Sequence, residues 1–229
     1  MANYGMIIDL NNCVGCAGCD IACKTENNLD YDVHWSFHVQ ETTGTFPDVK
    51  WKYIPKLCNH CENAACVKSC PTQAMYKNED GLTLHDPDAC IGCRTCELAC
   101  PYDVISFNKN RQHQWREDSS TLLPGITSSR KQVADKFEGI PFPHYNPDRA
   151  KTLDGVRREG IVEKCTLCDH RLAEGDKPWC VVTCPSDARI LVDLDDLDSN
   201  EKKLIDKRTT HTLLTGKGTG PKVFYIDEF

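Results

Sequence analysis

The 229-residue sequence has no uninterrupted apolar stretch near the roughly 18–20 residues that a bilayer-spanning helix requires. Its first ten residues, Met1 to Leu10, lack both the basic region and the apolar core of a secretory signal, so neither a membrane anchor nor an export signal is expected. Basic residues are not in excess either: 27 Lys and Arg face 34 Asp and Glu, a formal net charge of −7. That count omits cysteine thiolates, which would add to it, and the balance argues against a nucleic-acid partner. No Cys-x-x-Cys is followed by histidine, since Glu62, Glu97 and Asp169 follow Cys61, Cys96 and Cys168; covalent haem is thereby removed.

Cysteine, by contrast, is abundant, with 16 in 229 residues. The sixteen fall into four groups of four: Cys13, Cys16, Cys19 and Cys23; Cys58, Cys61, Cys66 and Cys70; Cys90, Cys93, Cys96 and Cys100; Cys165, Cys168, Cys180 and Cys184. The first and third read C-x2-C-x2-C-x3-C, the bacterial ferredoxin spacing in which three thiolates from one loop hold an iron–sulfur cluster and the fourth cysteine serves another. The second group widens its middle gap over Glu62 to Ala65, and the fourth over Asp169 to Trp179, without changing the ligand number. Pro71, Pro101 and Pro185 follow the last cysteine of groups two, three and four and bias it out of helical geometry, whereas Cys23 is followed by Lys24.

Two other cysteine chemistries compete with this reading. A secreted disulfide framework does not take the form of sixteen cysteines in repeated, closely spaced runs. Structural zinc uses pairs of C-x2-C across a longer spacer, whereas three groups here end in C-x3-C-P; zinc remains the alternative. Gly15, Gly18 and Gly92 suit loops in which backbone N–H groups approach sulfur closely, and plain turns equally well. Arg94 sits beside the third group, where it either tunes a cluster or contacts a donor, or is a solvated surface arginine, the preferred reading. His60 and His170 lie in or next to cysteine groups that already hold four sulfurs, so both are read as neighbours or surface residues rather than ligands.

The length allows one or two domains. Between groups two and three, Ala74 to Lys77 and Leu82 to His85 read as a hairpin around a turn at Asn78 to Gly81, and an apolar run, Val104 to Phe107, closes the unit. This is the layout of a two-cluster ferredoxin module. Groups one and four, each beside a strand-like segment (Met6 to Leu10 and Arg189 to Asp193), form a second module that the first interrupts. The expected fold is therefore α+β, with two ferredoxin-like modules, one inserted into the other. The outer module takes residues 1–56 and 161–198 and the inner one 57–108; 109–160 is an aperiodic insert expected to contact a partner, and 199–229 a tail. The tail reads as a short helix (Asn200 to Arg208), a flexible run near Gly216 to Gly220, and a strand (Lys222 to Ile226).

With four such motifs in this order, residues 1–198 resemble the iron–sulfur subunits of the DMSO-reductase family of molybdopterin oxidoreductases. Its members include the partners of polysulfide, thiosulfate, tetrathionate, DMSO and arsenate reductases. The stretches C-V-G-C-A-G-C-D-I-A-C-K-T-E-N-N, T-F-P-D-V-K, L-C-N-H-C-E-N-A-A-C-V and G-T-G-P-K-V-F-Y look most like the small subunits of respiratory arsenate reductases. The resemblance implies four 4Fe-4S clusters. Cluster one would be held by Cys13, Cys16, Cys19 and Cys184; cluster two by Cys23, Cys165, Cys168 and Cys180; cluster three by Cys58, Cys61, Cys66 and Cys100; cluster four by Cys70, Cys90, Cys93 and Cys96. A tryptophan replaces the residue equivalent to Cys93 in nitrate-reductase relatives and makes that cluster 3Fe-4S; the cysteine here implies a fourth cubane.

The family role implied is a non-catalytic electron relay, with no catalytic residues. Cluster one would face a larger molybdopterin subunit in a heterodimer or higher assembly. Cluster four would face an external donor such as a cytochrome or a quinol-linked membrane protein. The relatives are exported folded with the catalytic partner, which implies a periplasmic location, a cytoplasmic-facing complex being the alternative. A freestanding polyferredoxin is the second functional reading, and the insert and tail weigh against it.

Overall fold

The computed structural model describes residues 2–30, 32–109, 119–136, 146 and 158–226. In chain order the elements are β1 (Tyr4–Asp9), α1 (Gly18–Asn27), β2 (Ser36–Thr45), β3 (Asp48–Leu57), α2 (Ala65–Lys68), β4 (Met75–Lys77), β5 (Thr83–His85), α3 (Thr95–Ala99), β6 (Ile105–Phe107), α4 (Arg130–Lys136), β7 (Val162–Lys164), α5 (Asp169–Ala173), α6 (Trp179–Val182), β8 (Arg189–Asp193), α7 (Asn200–Lys207), β9 (Thr210–His211) and β10 (Val223–Ile226). Among the described residues this is a mixed α+β structure of one four-stranded sheet and three two-stranded ones.

The sheet order is β8-β1-β10-β9, with β1 antiparallel to β8 and parallel to β10. Strand β1 has neighbours on both edges and packing on both faces, which explains why Met6, Ile7 and Ile8 form an unbroken apolar run rather than alternating with polar residues. Met6 and Ile8 enter the main core with Leu57, Leu82, Val104, Val223 and Tyr225. Ile7 points to the other face, where Val192 and Ile226 meet Leu204 and Ile205 of α7. Helix α7 begins at Ser199, whose side chain accepts the Lys202 N–H, a polar cap that satisfies one free backbone donor.

The sequence expectations for Ala74–His85, Val104–Phe107, Arg189–Asp193 and Asn200–Arg208 meet β4–β5, β6, β8 and α7. Three details differ. Strands β2 and β3 form a ten-residue hairpin, Ser36 opposite Leu57 to Thr45 opposite Asp48, which sequence reading did not mark. Only its base is buried, while Phe46 at its tip is 92% exposed. The run near Gly216–Gly220 is held rather than loose, because the Glu62 and Asn63 N–H groups donate to the Gly220 and Thr219 carbonyls at 2.7 and 2.9 Å. The aperiodic insert contains α4; its residues 110–118, 137–145 and 147–157 lie outside the described residues.

Candidate metal centres

Each cysteine group is shaped by backbone that polar or small residues hold in the left-handed region. Ala17 and Arg94, each directly after the second cysteine of its group, have φ of 57° and 61° and open α1 and α3. A second device follows the Cys-Pro endings. Gln73, Asp103 and Asp187, three residues beyond Cys70, Cys100 and Cys184, all have φ between 52° and 57°. The backbone there folds back on the sulfur: the Met75 and Ala188 N–H groups donate to Cys70 Sγ and Cys184 Sγ at 3.5 and 3.3 Å. Cys23, without a following proline, stays inside α1, which continues to Asn27.

Two of the three glycines singled out by sequence are needed for shape. At Gly15 (φ +68°) a Cβ would collide with the Tyr53 ring, and at Gly92 (φ +69°) with the Gly160 carbonyl. Gly18 is different: an added Cβ meets nothing closer than 3.5 Å, in ordinary contact with the Cys16 sulfur.

The fourth cysteine of every group leaves its own loop. Cys184 joins Cys13, Cys16 and Cys19 in one cavity, and Cys23 joins Cys165, Cys168 and Cys180 in another. Cys100 joins Cys58, Cys61 and Cys66, while Cys70 joins Cys90, Cys93 and Cys96. All sixteen thiols are free of disulfides. Among the described residues no three or more His, Cys, Asp or Glu side chains stand close enough to hold a single metal ion. Four sulfurs set around a space too wide for one ion fit a polynuclear iron–sulfur group and fit zinc poorly.

Electrostatics separates the thiols by depth. Burial pushes Cys66 and Cys168 up to about 12, against the pull of Lys164 on the first and of the Trp179 N–H on the second. Burial likewise raises Cys19 to about 12 and Cys96 to about 11, and lifts Cys23 and Cys165 further. Cys184 runs the other way: burial raises it, but the N–H groups of Ser186, Ala188 and Arg189 together with the Ser186 hydroxyl outweigh that and lower its pKa. Cys70 is lowered through the same turn geometry. The raised thiols are poor anions on their own, and a bound metal must displace their protons.

Buried cations stand among these cavities. Lys164, 1% exposed, donates from Nζ to the Thr83 carbonyl and to the Cys165 carbonyl at 2.9 Å. Arg189, 2% exposed, lines both the Cys13/Cys16/Cys19/Cys184 cavity and the Cys23/Cys165/Cys168/Cys180 cavity. Its Nη2 donates to Ser36 Oγ at 2.9 Å; Ser36 Oγ in turn donates to Asp20 Oδ1 at 2.9 Å, and Asp20 Oδ2 lies 2.7 Å from His38 Nδ1. Burial disfavours the Arg189 charge, but the Cys180 and Cys19 sulfurs and Asp20 outweigh it and its pKa is raised.

Of the other residues weighed on sequence, His60 is buried, and its Nδ1 accepts the Thr83 N–H at 3.2 Å. Burial, reinforced by Lys164, keeps it neutral with a pKa well below the ordinary value. His170 pairs with Glu26 at 2.8 Å. Arg94 pairs with Glu97 at 2.7 Å and covers the Phe107 ring. Sequence reading passed over Asp20, Ser36, His38, Lys164 and Arg189. The one signal for any of them was a lone arginine opening an otherwise apolar strand, Arg189-Ile-Leu-Val.

Residues 49–117 match the family described as the 4Fe-4S dicluster domain. The chain is 51% identical over 226 residues to the arsenate respiratory reductase iron–sulfur subunit of Shewanella sp., covering 98% of this chain and 96% of that one. It is 37% identical to a selenate reductase subunit of Mesobacillus selenatarsenatis, covering 96% and 70%. With a polysulfide reductase chain of Wolinella succinogenes it shares 31% identity, covering 97% and 93%.

Proposed function

This protein belongs to the iron–sulfur subunits of the DMSO-reductase family of molybdopterin oxidoreductases, and from that premise we propose that it relays electrons through four 4Fe-4S clusters to the catalytic subunit of a respiratory arsenate reductase. Subunits of this kind transfer electrons and are not catalytic on their own. The observation that carries the four-cluster reading is the exchange of fourth cysteines, which leaves four cavities with four sulfurs each and no cysteine unused.

In this reading Cys13, Cys16, Cys19 and Cys184 hold cluster one, and Cys23, Cys165, Cys168 and Cys180 cluster two. Cys58, Cys61, Cys66 and Cys100 hold cluster three, and Cys70, Cys90, Cys93 and Cys96 cluster four. Bound there, cubanes supply one-electron redox chemistry at potentials set by burial, hydrogen bonds to sulfur and nearby charge. The chain's own residues fix the spacing of the sites, exclude water and aim N–H groups at sulfur, as Gly92, Leu167 and Ala188 do at 3.3–3.4 Å.

The division into an outer module (1–56 and 161–198) around an inner one (57–108) is part of the same proposal. It is supported by the pairing of β1 with β8 across the interruption. The partners proposed, from the family, are a molybdopterin subunit and a separate donor, in a periplasmic complex; no helix among the described residues is long and apolar enough to cross a membrane.

Iron and sulfide analysis of the purified complex tests the core of this reading. About sixteen irons assigned to this chain are expected, four per cubane. A value near twelve, or zinc at four per chain, overturns it. Arsenate-dependent oxidation of a reduced donor, set against selenate and polysulfide, tests the substrate.

A further inference from the structure

Arg189 carries a permanent positive charge, because a guanidinium does not lose its proton in proteins. Removing such a charge from water is expensive unless it is paired. Yet Arg189 is 2% exposed, and among the described residues its one hydrogen bond of ordinary geometry runs from Nη2 to a neutral serine hydroxyl, with the Cys180 sulfur beside the guanidinium. Nε and Nη1 are shut off from solvent and make no hydrogen bond of ordinary geometry among the described residues. A nearby carboxylate, Asp20, is reached through Ser36 and is already engaged by Ser36 and His38. Two donors without a hydrogen bond of ordinary geometry call for acceptors at the sulfur sites beside them, where the Cys180 and Cys19 sulfurs already favour the charge, and the same side chain lines two cysteine cavities.

We infer that Arg189 is a shared counter-cation for two neighbouring iron–sulfur clusters, its Nε–H and Nη1–H directed at sulfur atoms of the groups held in the Cys13/Cys16/Cys19/Cys184 and Cys23/Cys165/Cys168/Cys180 cavities. The inference rests on the four-cluster reading and deepens it. Each site concentrates four thiolates, and an added electron makes it more anionic. A fixed cation in a low-dielectric setting therefore favours the reduced form and raises the potential. Because one cation lines both sites, it also offsets the repulsion each feels when the other is reduced. Ser36, Asp20 and His38 hold the guanidinium in its plane, so the arrangement positions a charge rather than a proton.

The test uses the cluster-loaded complex carrying Arg189→Met, which keeps length and removes charge, and Arg189→Lys, which keeps charge and removes the planar fork. Iron is counted, and midpoint potentials are read by redox titration followed by electron paramagnetic resonance. In Arg189→Met two of the four potentials are expected to shift down and two to stay, or iron to be lost from two sites while two remain loaded. Arg189→Lys should shift the same two by less. Four unchanged potentials, or four moving together, overturn the inference. If Arg189→Met does not accumulate, Arg189→Lys decides by the same criteria, and uniform loss of all four clusters from it also counts against a shared cation. Failure of the four-cluster reading shows separately, as an iron count well below about sixteen in the unsubstituted complex.

Discussion

The Tyr225 hydroxyl donates to the Pro55 carbonyl at 2.8 Å, tying the last strand of the sheet to the hairpin wall of the Cys13/Cys16/Cys19/Cys184 cavity. Tyr225 is fully buried beside β1, and Pro55 lies near the base of β3. Tyr225→Phe keeps the packing and leaves the carbonyl without that partner, a loss of about 1–3 kcal/mol. Tyr225→Ala adds a cavity and should lose about 3–5 kcal/mol. Denaturation midpoints check the order; a Tyr225→Phe midpoint equal to that of the unsubstituted chain would show that the bond contributes nothing.

Cys184→Ser should remove or alter the cluster held with Cys13, Cys16 and Cys19 and spare the one held by Cys165, Cys168 and Cys180, although Cys184 lies next to the latter in sequence. Turnover with external donors should fall sharply. Low-temperature electron paramagnetic resonance, compared with that of Cys180→Ser, reads which signal disappears. Loss of the same signal in both variants contradicts the exchange of fourth cysteines.

Gly92→Ala places a Cβ against the Gly160 carbonyl at φ +69°, with strain of about 1–3 kcal/mol before the collision is relieved. The cavity of Cys90, Cys93 and Cys96 should lose iron. Gly18→Ala has room and an ordinary φ, and should retain a full load. Iron per chain after identical purification separates the two.

The raised thiol pKa values give a pH dependence whose sign differs with metal content. In the metal-free chain Cys66 and Cys168 titrate near 12 when folded, against about 9 unfolded. Their contribution is complete below about 9 and is lost as the pH rises toward about 12, because the unfolded chain ionises first. Iron binding must displace those same protons, so retention of iron against a chelator should improve as pH rises from about 6 to about 9. Chelator titrations at several pH values, with denaturation of the metal-free chain above pH 9, check both limbs.

The cysteine spacings made four sulfur sets readable, and the apolar runs of β1 and β8 marked the strands that join the chain's two outer parts. Which cysteine changes partner came from family resemblance, since a spacing of three says that Cys184 leaves its loop but not where it goes. The hairpin of β2 and β3 escaped because most of its length is solvent-exposed, so packing imposes no clean alternation on Val39, Val49 or Trp51. The left-handed Gln73, Asp103 and Asp187 escaped because nothing in a lone Gln or Asp declares its φ. Arg189 escaped because the two cavities it lines take in Cys13, Cys16, Cys19 and Cys23, far from it in sequence.

The order of synthesis follows from the way the cysteines are shared. Both inner sets end at or before Cys100, so a nascent chain presents their eight sulfurs while more than half of it is still to be made. Neither outer set exists until translation has passed Cys180 and Cys184, and β1 then waits for residues 223–226 to arrive beside it. Any machinery that loads iron therefore meets two kinds of site, one open to co-translational filling and one that only a nearly finished polypeptide can offer.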